Sequence, residues 1–272
     1  MRLFHYTDAA AVQSILTNRK LWLTDLRFLN DSEEMRHGLQ HILEELKSGS
    51  ATARVSPRYV EAASSFIEEN LTFDFADLSE SPHIFVCSFS QSGDLLSQWR
   101  AYGAYAIEFD GDLLSSNKSW CLYDSKQKKE KAFSSVVETL RKVGRSHDRN
   151  PHSMDDDGVA AYVDLIKTAA TFKHHSFEEE REVRIIRGAD FNDSFEVKFR
   201  PRGNILIPYI EVEFPFESIR AVHIGPMPNQ EVAFWSMSSF VGKTDFDWHA
   251  SNPNGNHNIE VKCSTTPFRA TL

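Results

Sequence analysis

Apolar positions recur along this chain with two periods, and the period changes often. Residues 2–6 (RLFHY) predict a short strand. Thr7 or Asp8 then caps a helix with Ala11, Val12, Ile15 and Leu16 on one face. Leu21–Leu26 alternates, predicting a strand with Thr24 on its polar side. Asn30-Asp31-Ser32 reads as a turn and N-cap for a helix to about Leu46, burying Leu39, Ile42, Leu43 and Leu46. A polar loop covers 47–56, Pro57 opens a helix to about Asn70, and 71–81 is acidic and irregular.

The run Ile84–Phe89 is almost wholly apolar, the pattern of a buried central strand. Asp94–Tyr102 predicts a short helix closed by Gly103, and Ala104–Phe109 a strand that would pair with 84–89. Trp120–Tyr123 reads as a short strand, 126–144 as a helix, 145–155 as a polar linker and 158–172 as a helix. Strands follow at 195–199 and 205–212 around a PRGN turn, and at 219–224 before Gly225-Pro226. A helix over 229–240 and a strand over 258–263 complete the pattern. Strands and helices mix without a βαβ rhythm, which predicts one α+β domain across residues 1–272.

Composition narrows this picture. The 272 residues are 41% hydrophobic with 20 Phe, enough for a sizeable core. A net charge of −9 argues against a broad nucleic-acid surface, though not against a local basic groove. Three dispersed cysteines (Cys87, Cys121, Cys263) form no disulfide framework and fit a reducing cytoplasm. The sequence shows no signal peptide, membrane span, P-loop or dinucleotide glycine motif. Adjacent His174 and His175 lack metal-ligand spacing, so no metal is expected. The basic run Lys126–Lys131 has the pattern of a solvated helix face, with phosphate contact as the alternative.

The stretch Phe177–Arg187 (FEEEREVRIIR) carries the densest chemistry. Its second half is β-branched and predicts a strand beginning near Val183. Glu180 and Glu182, two apart, share a face if the chain is extended there. A solvated charged turn gives the same pattern. Trp99 and Tyr102 share a helical face, as core or as a wall for a flat ring.

The ordered set LFHYT, LWLT, FLND-x-E-E, CSFS, W-x-x-Y-G, F-x-x-E-x-E-x-R, I-G-P and CSTTPFR resembles a bacterial family, domain of unknown function 2971. That family looks distantly related to the ADP-ribosyltransferase fold. The resemblance implies a split mixed β-sheet core and NAD as co-substrate. It implies transfer of ADP-ribose to a protein or nucleic-acid acceptor, as in a toxin or phage-defence effector. His5, Tyr6 and Thr7 match that fold's ribose-binding mark, and Ser88 and Ser90 resemble its central-strand mark. Trp99 and Tyr102 would stack on nicotinamide. Glu182 would stabilise the ribosyl cation with Glu180 beside it, Arg184 would hold Glu182 or a phosphate, and Arg100 would reach the pyrophosphate. The central segment is neither S-T-S nor a tyrosine pair. The same scaffold admits an NAD glycohydrolase, an RNA 2′-phosphotransferase or a non-catalytic nucleotide-sensing module.

Overall fold

The apolar run expected at 84–89 is the strand on which the sheet branches. A computed structural model describes residues 1–29, 32–71, 83–114, 118–150, 153–189 and 196–267, with the backbone alone at 32 and 33. Strand β3 (His83–Ser90) pairs along one edge with β6 (Glu182–Ala189), antiparallel, from Ser90↔Glu182 to His83↔Ala189. Its other edge is divided. Strand β1 (Arg2–Thr7) meets it at Phe4↔Ser90, and β2 (Lys20–Asp25) meets it at Thr24↔Val86 and Asp25↔Phe85. Two arms diverge from that edge. One runs β1, β4 (Tyr105–Asp110), β9 (Ile219–Ile224) and β10 (Glu260–Cys263); the other runs β2, β8 (Ile205–Glu213) and β7 (Lys198–Arg202). Strand β5 (Lys118–Trp120) extends the sheet beyond β6. Only the β9–β10 pairing is parallel among these ladders. The result is a mixed α+β architecture on a ten-stranded, split sheet.

The expected pairing of 104–109 with 84–89 does not form. β1 lies between them, because all six of its residues pair with β4 while Phe4 reaches β3. Chain-local reasoning pairs near neighbours, whereas the first strand closes this ladder across a hundred residues.

Each face of the sheet carries its own core, as the two-residue period of a strand requires. Phe85, Cys87, Phe89, Val183 and Ile185 face helices α1 (Ala9–Asn18) and α8 (Gln230–Ser251). Ile84, Val86 and Ile186 face α2 (Ser32–Lys47), α3 (Pro57–Asn70), α6 (Ser125–Arg149) and α7 (Asp156–Ala169). The short α4 (Leu96–Tyr102) packs Trp99 on Phe4 and Tyr6, and α5 (Gly111–Leu114) follows β4.

Several boundaries differ from expectation. The polar stretch after 144 continues as α6 to Arg149, because Val143, Gly144 and Ser146 remain buried against neighbouring helices. Helix α8 runs past 240 because Trp248 is core. Thr24 is buried and accepts from Arg200 Nη2 at 2.9 Å, so it does not face water. The expected cap at Asn30-Asp31, most of 71–81 and Phe195 lie outside the described residues. Among the described residues no helix is long and apolar enough to cross a membrane.

Candidate functional site

The glutamate run resolves into a 3-10 turn, His175–Glu180, followed by β6. Arg181 sits between them in the left-handed region, with φ of +43°. That kink ends the turn and starts the strand at Glu182. It also brings Glu180 and Glu182 onto one cation, with Lys173 Nζ 2.5 Å from Oε2 of each. Arg184, two residues along the strand, faces the same side. Its Nε donates to Glu182 Oε1 at 2.6 Å and its Nη2 to Glu182 Oε2 at 3.1 Å. The same Nη2 donates to Glu34 Oε2 at 2.6 Å, and Nη1 to the Ala170 carbonyl at 2.5 Å. Lys173 also lies 3.6 Å from Glu34 Oε1.

Three carboxylates and two cations thus form one network, each side chain at most 11% exposed. Burial alone would push the Glu182 carboxyl up. The charges of Arg184 and Lys173 overcome it and hold the group at about 2. Glu180 shifts the other way: burial raises it, and the hydrogen bond from Lys173 only partly offsets this. Burial disfavours the Lys173 charge, but Glu182 and Glu34 outweigh that and keep it protonated. The backbone is anchored too, since Glu182 N donates to Tyr123 Oη at 2.8 Å and Cys121 N to the Glu182 carbonyl at 3.0 Å.

Two approaches lead to this network. Tyr102, 45% exposed, lies within electrostatic reach of Lys173, Glu180, Glu182 and Glu34. A hollow of about 440 Å³ borders the 178–182 turn and is lined also by Trp120 and Tyr123. Its size suits part of a nucleotide.

The other predicted residues have structural partners. Ser90 Oγ donates to the Glu180 carbonyl at 2.6 Å and accepts from Ser92 N at 3.0 Å, fastening the turn to β3. Tyr6 Oη donates to the Ser92 carbonyl at 2.7 Å and accepts from Leu95 N at 3.2 Å. Trp99 meets Tyr6 edge-on at 4.6 Å, and its indole N–H donates to Asp94 at 2.8 Å. Trp99 is therefore core, and Tyr102 on the same helix is the exposed ring. Thr7 pairs with Tyr105, and its carbonyl packs on Gly103, whose φ of +128° closes α4. Ser88 is half-buried opposite Arg184, and Arg100 is exposed.

The I-G-P motif has a packing reason. A Cβ on Gly225 would stand 2.7 Å from Trp99 Cε3. Gly225→Ala is expected to lower stability by about 1–3 kcal/mol, as overpacking does in a closed core. Chemical denaturation checks this; an unchanged midpoint would show that the indole can move aside.

His5 is not part of the charge network. Phe4, Ser90 and Glu182 are paired across three strands and share a face. His5, one residue on, faces the opposite side. It meets the Phe89 ring at 5.6 Å and Cys87 Sγ at 3.8 Å. Its Nδ1–H donates to the Ser88 carbonyl at 2.9 Å, on the divided edge of β3. Burial lowers its proton affinity, and the charge of Arg200, 5.4 Å over the Trp22 ring, acts in the same direction. Glu180, Glu182 and Arg184 are thus brought together, and His5 is separated from them by the period of the strand.

The sequence reading assigned Lys173, Glu34, Tyr123 and Trp120 no role in the site. Nothing in TFKHH marks a lysine that will be buried between two glutamates, and Glu34 comes from a helix remote in sequence. Among the described residues no group of three or more His, Cys, Asp and Glu is arranged to hold a metal ion.

Residues 98–185 match a family model described as protein of unknown function, DUF2971, which bears out the resemblance read from the motifs. The matched segment includes Tyr102, Lys173, Glu180, Glu182 and Arg184. No curated protein and no solved structure matches the chain.

Proposed function

We propose that this chain, similar to the DUF2971 family over residues 98–185, cleaves the nicotinamide–ribose bond of NAD at the Glu180–Glu182 network. The observation that carries the reading is two buried carboxylates at a strand entry, held on one lysine beside an exposed tyrosine ring. As the glycosidic bond breaks, its electron pair leaves with neutral nicotinamide and positive charge develops on the ribose. A fixed carboxylate stabilises that charge most where water is excluded.

The two glutamates divide the work differently from the expectation. Both oxygens of Glu182 are engaged by Arg184 and Lys173, so Glu182 is the positioning residue. Glu180 is bonded by Lys173 through Oε2 and is the carboxylate assigned to the ribose 2′-OH. Its raised proton affinity also suits it to take the proton of the attacking acceptor. Tyr102 offers the ring on which nicotinamide stacks. The acceptor is water, protein or nucleic acid: respectively free ADP-ribose, labelled protein or labelled nucleic acid.

A second reading has its own support. Complete engagement of Glu182 is also what a purely structural charge network shows, in a nucleotide-binding module without turnover. NAD labelled in both halves, incubated with the full chain with and without cell lysate, separates the two. Nicotinamide release above a buffer control supports the enzyme. NAD binding without release supports the module. Neither binding nor release sinks both.

A further inference from the structure

Lys128, inside the basic run of α6, is not on a solvated face. It is 3% exposed, and among the described residues its ammonium has no hydrogen bond or ion pair. The stem is covered and the ammonium, unlike the fully buried unpaired atoms, keeps contact with solvent at its tip; a largely desolvated ammonium without a partner still calls for a counter-charge. The opposite charges within its electrostatic reach are Asp124 and Glu34. Glu34 is already held by Arg184.

The remaining neighbours are imidazoles. His37 and His41, one turn apart on α2, bring their Nε2 atoms to 3.2 Å. The His174 ring centre lies 6.3 Å from that of His37. Nδ1 of His174 accepts from Ser176 N at 3.3 Å, which leaves its Nε2 as the donor in the neutral ring. Burial, Lys128 and the neighbouring histidine lower the proton affinity of His37, and likewise of His41. Glu44 and Glu34 oppose this for His37, and Glu44 does so for His41. Three elements therefore converge one ammonium and three imidazoles, of which His37 and His41 are made harder to protonate by burial first and by neighbouring positive charge second. A metal ion would be repelled by Lys128, whereas an oxyanion would satisfy it and restore the imidazole charges.

Glu34 links this cluster to the carboxylate network, since it bonds Arg184 and lies within reach of both Lys128 and His37. We propose that Lys128, His37, His41 and His174 bind the pyrophosphate of the dinucleotide whose glycosidic bond is attacked at Glu180. The identity of the ligand rests on the glycosidic reading above; the anion site itself does not.

The test is calorimetric titration of the full chain with inorganic pyrophosphate, and with NAD in competition. Pyrophosphate is expected to bind and to displace NAD, with Lys128→Met weakening it by about tenfold or more. Affinity is expected to rise from about pH 8 to about pH 6, as the histidines take up protons beside the bound anion, and to lose that rise in the double variant His37→Gln/His41→Gln. Lys128→Met should fold at least as well as the parent; if it does not, the double variant carries the test through its pH profile. No binding to the parent chain, or equal binding to parent and Lys128→Met, overturns the site. Pyrophosphate binding through Lys128 without nicotinamide release would keep the anion site and remove the glycosidic reading. Nicotinamide release with pyrophosphate indifferent to Lys128→Met would do the reverse.

Discussion

Replacing Arg184 with methionine is expected to destabilise the protein by about 3–5 kcal/mol, the cost of breaking a buried ion network by removing one partner. The arginine is 3% exposed and serves three acceptors: Glu182, Glu34 and the Ala170 carbonyl. Without it, Glu34, Glu180 and Glu182 lose one of the two cations they share and keep Lys173. Methionine fills the space but meets none of those charges. Urea unfolding measures the loss, and a change under about 1 kcal/mol would show that water already reaches the network. Glu182 also contributes to an acid limit. Glu182 is held at about 2 in the folded chain, below the ordinary 4.5. Its contribution is therefore fully present above pH 4.5 and lost as pH falls toward 2. Glu108, bonded by Arg2 and His223, is held at about 2 as well and adds to the same window. Acid titration at constant ionic strength should show stability falling through that range. A curve that stays flat down to pH 2 would contradict the network as described.

Glu180→Gln is expected to reduce nicotinamide release by at least about 100-fold, the usual contribution of a positioned acid–base or charge-stabilising carboxylate. The amide keeps the shape of the side chain and can still accept from Lys173, so the fold should persist. What disappears is the negative charge beside the ribose and the proton acceptor. KM for NAD should change much less than kcat, because the charge matters most once the bond has begun to break. Glu182→Gln gives the contrast, because it weakens Arg184 and Lys173 contacts and should lower stability and turnover together. Steady-state rates on folded variants, checked by their unfolding midpoints, decide the matter. If Glu180→Gln retains full turnover while Glu182→Gln loses it, the roles assigned to the two glutamates are exchanged.

Much of the fold was legible in local pattern. The strand at 219–224 and the helix opened by Pro57 have the limits that periodicity and capping predict. Asp8 caps α1 through its side chain, accepting from Ala11 N. Such features depend on residues within a turn or two of one another. The errors share a different origin. Helix α6 outlasts its apolar pattern because buried polar and small residues continue it. Lys128 looks solvated in KQKKEK, yet neighbouring helices cover it.

The candidate site shows the same division. That Glu182 and Arg184 share a face could be read from a two-residue period alone, since a strand turns alternate side chains to one side, whereas Glu180 ends a 3-10 turn and reaches the same lysine through the left-handed kink at Arg181. That period also dictates that His5 and Phe4 point opposite ways, but which of them meets Glu182 depends on register. The pairing Phe4↔Ser90↔Glu182 settles it, and it is made by strands from three distant parts of the chain. Lys173 and Glu34 join for the same reason: a buried carboxylate needs a counter-charge wherever the packing can supply one, and packing is not ordered by sequence. Local chemistry was decided by neighbours along the chain; the partners that set the charge of each glutamate were decided by the tertiary structure.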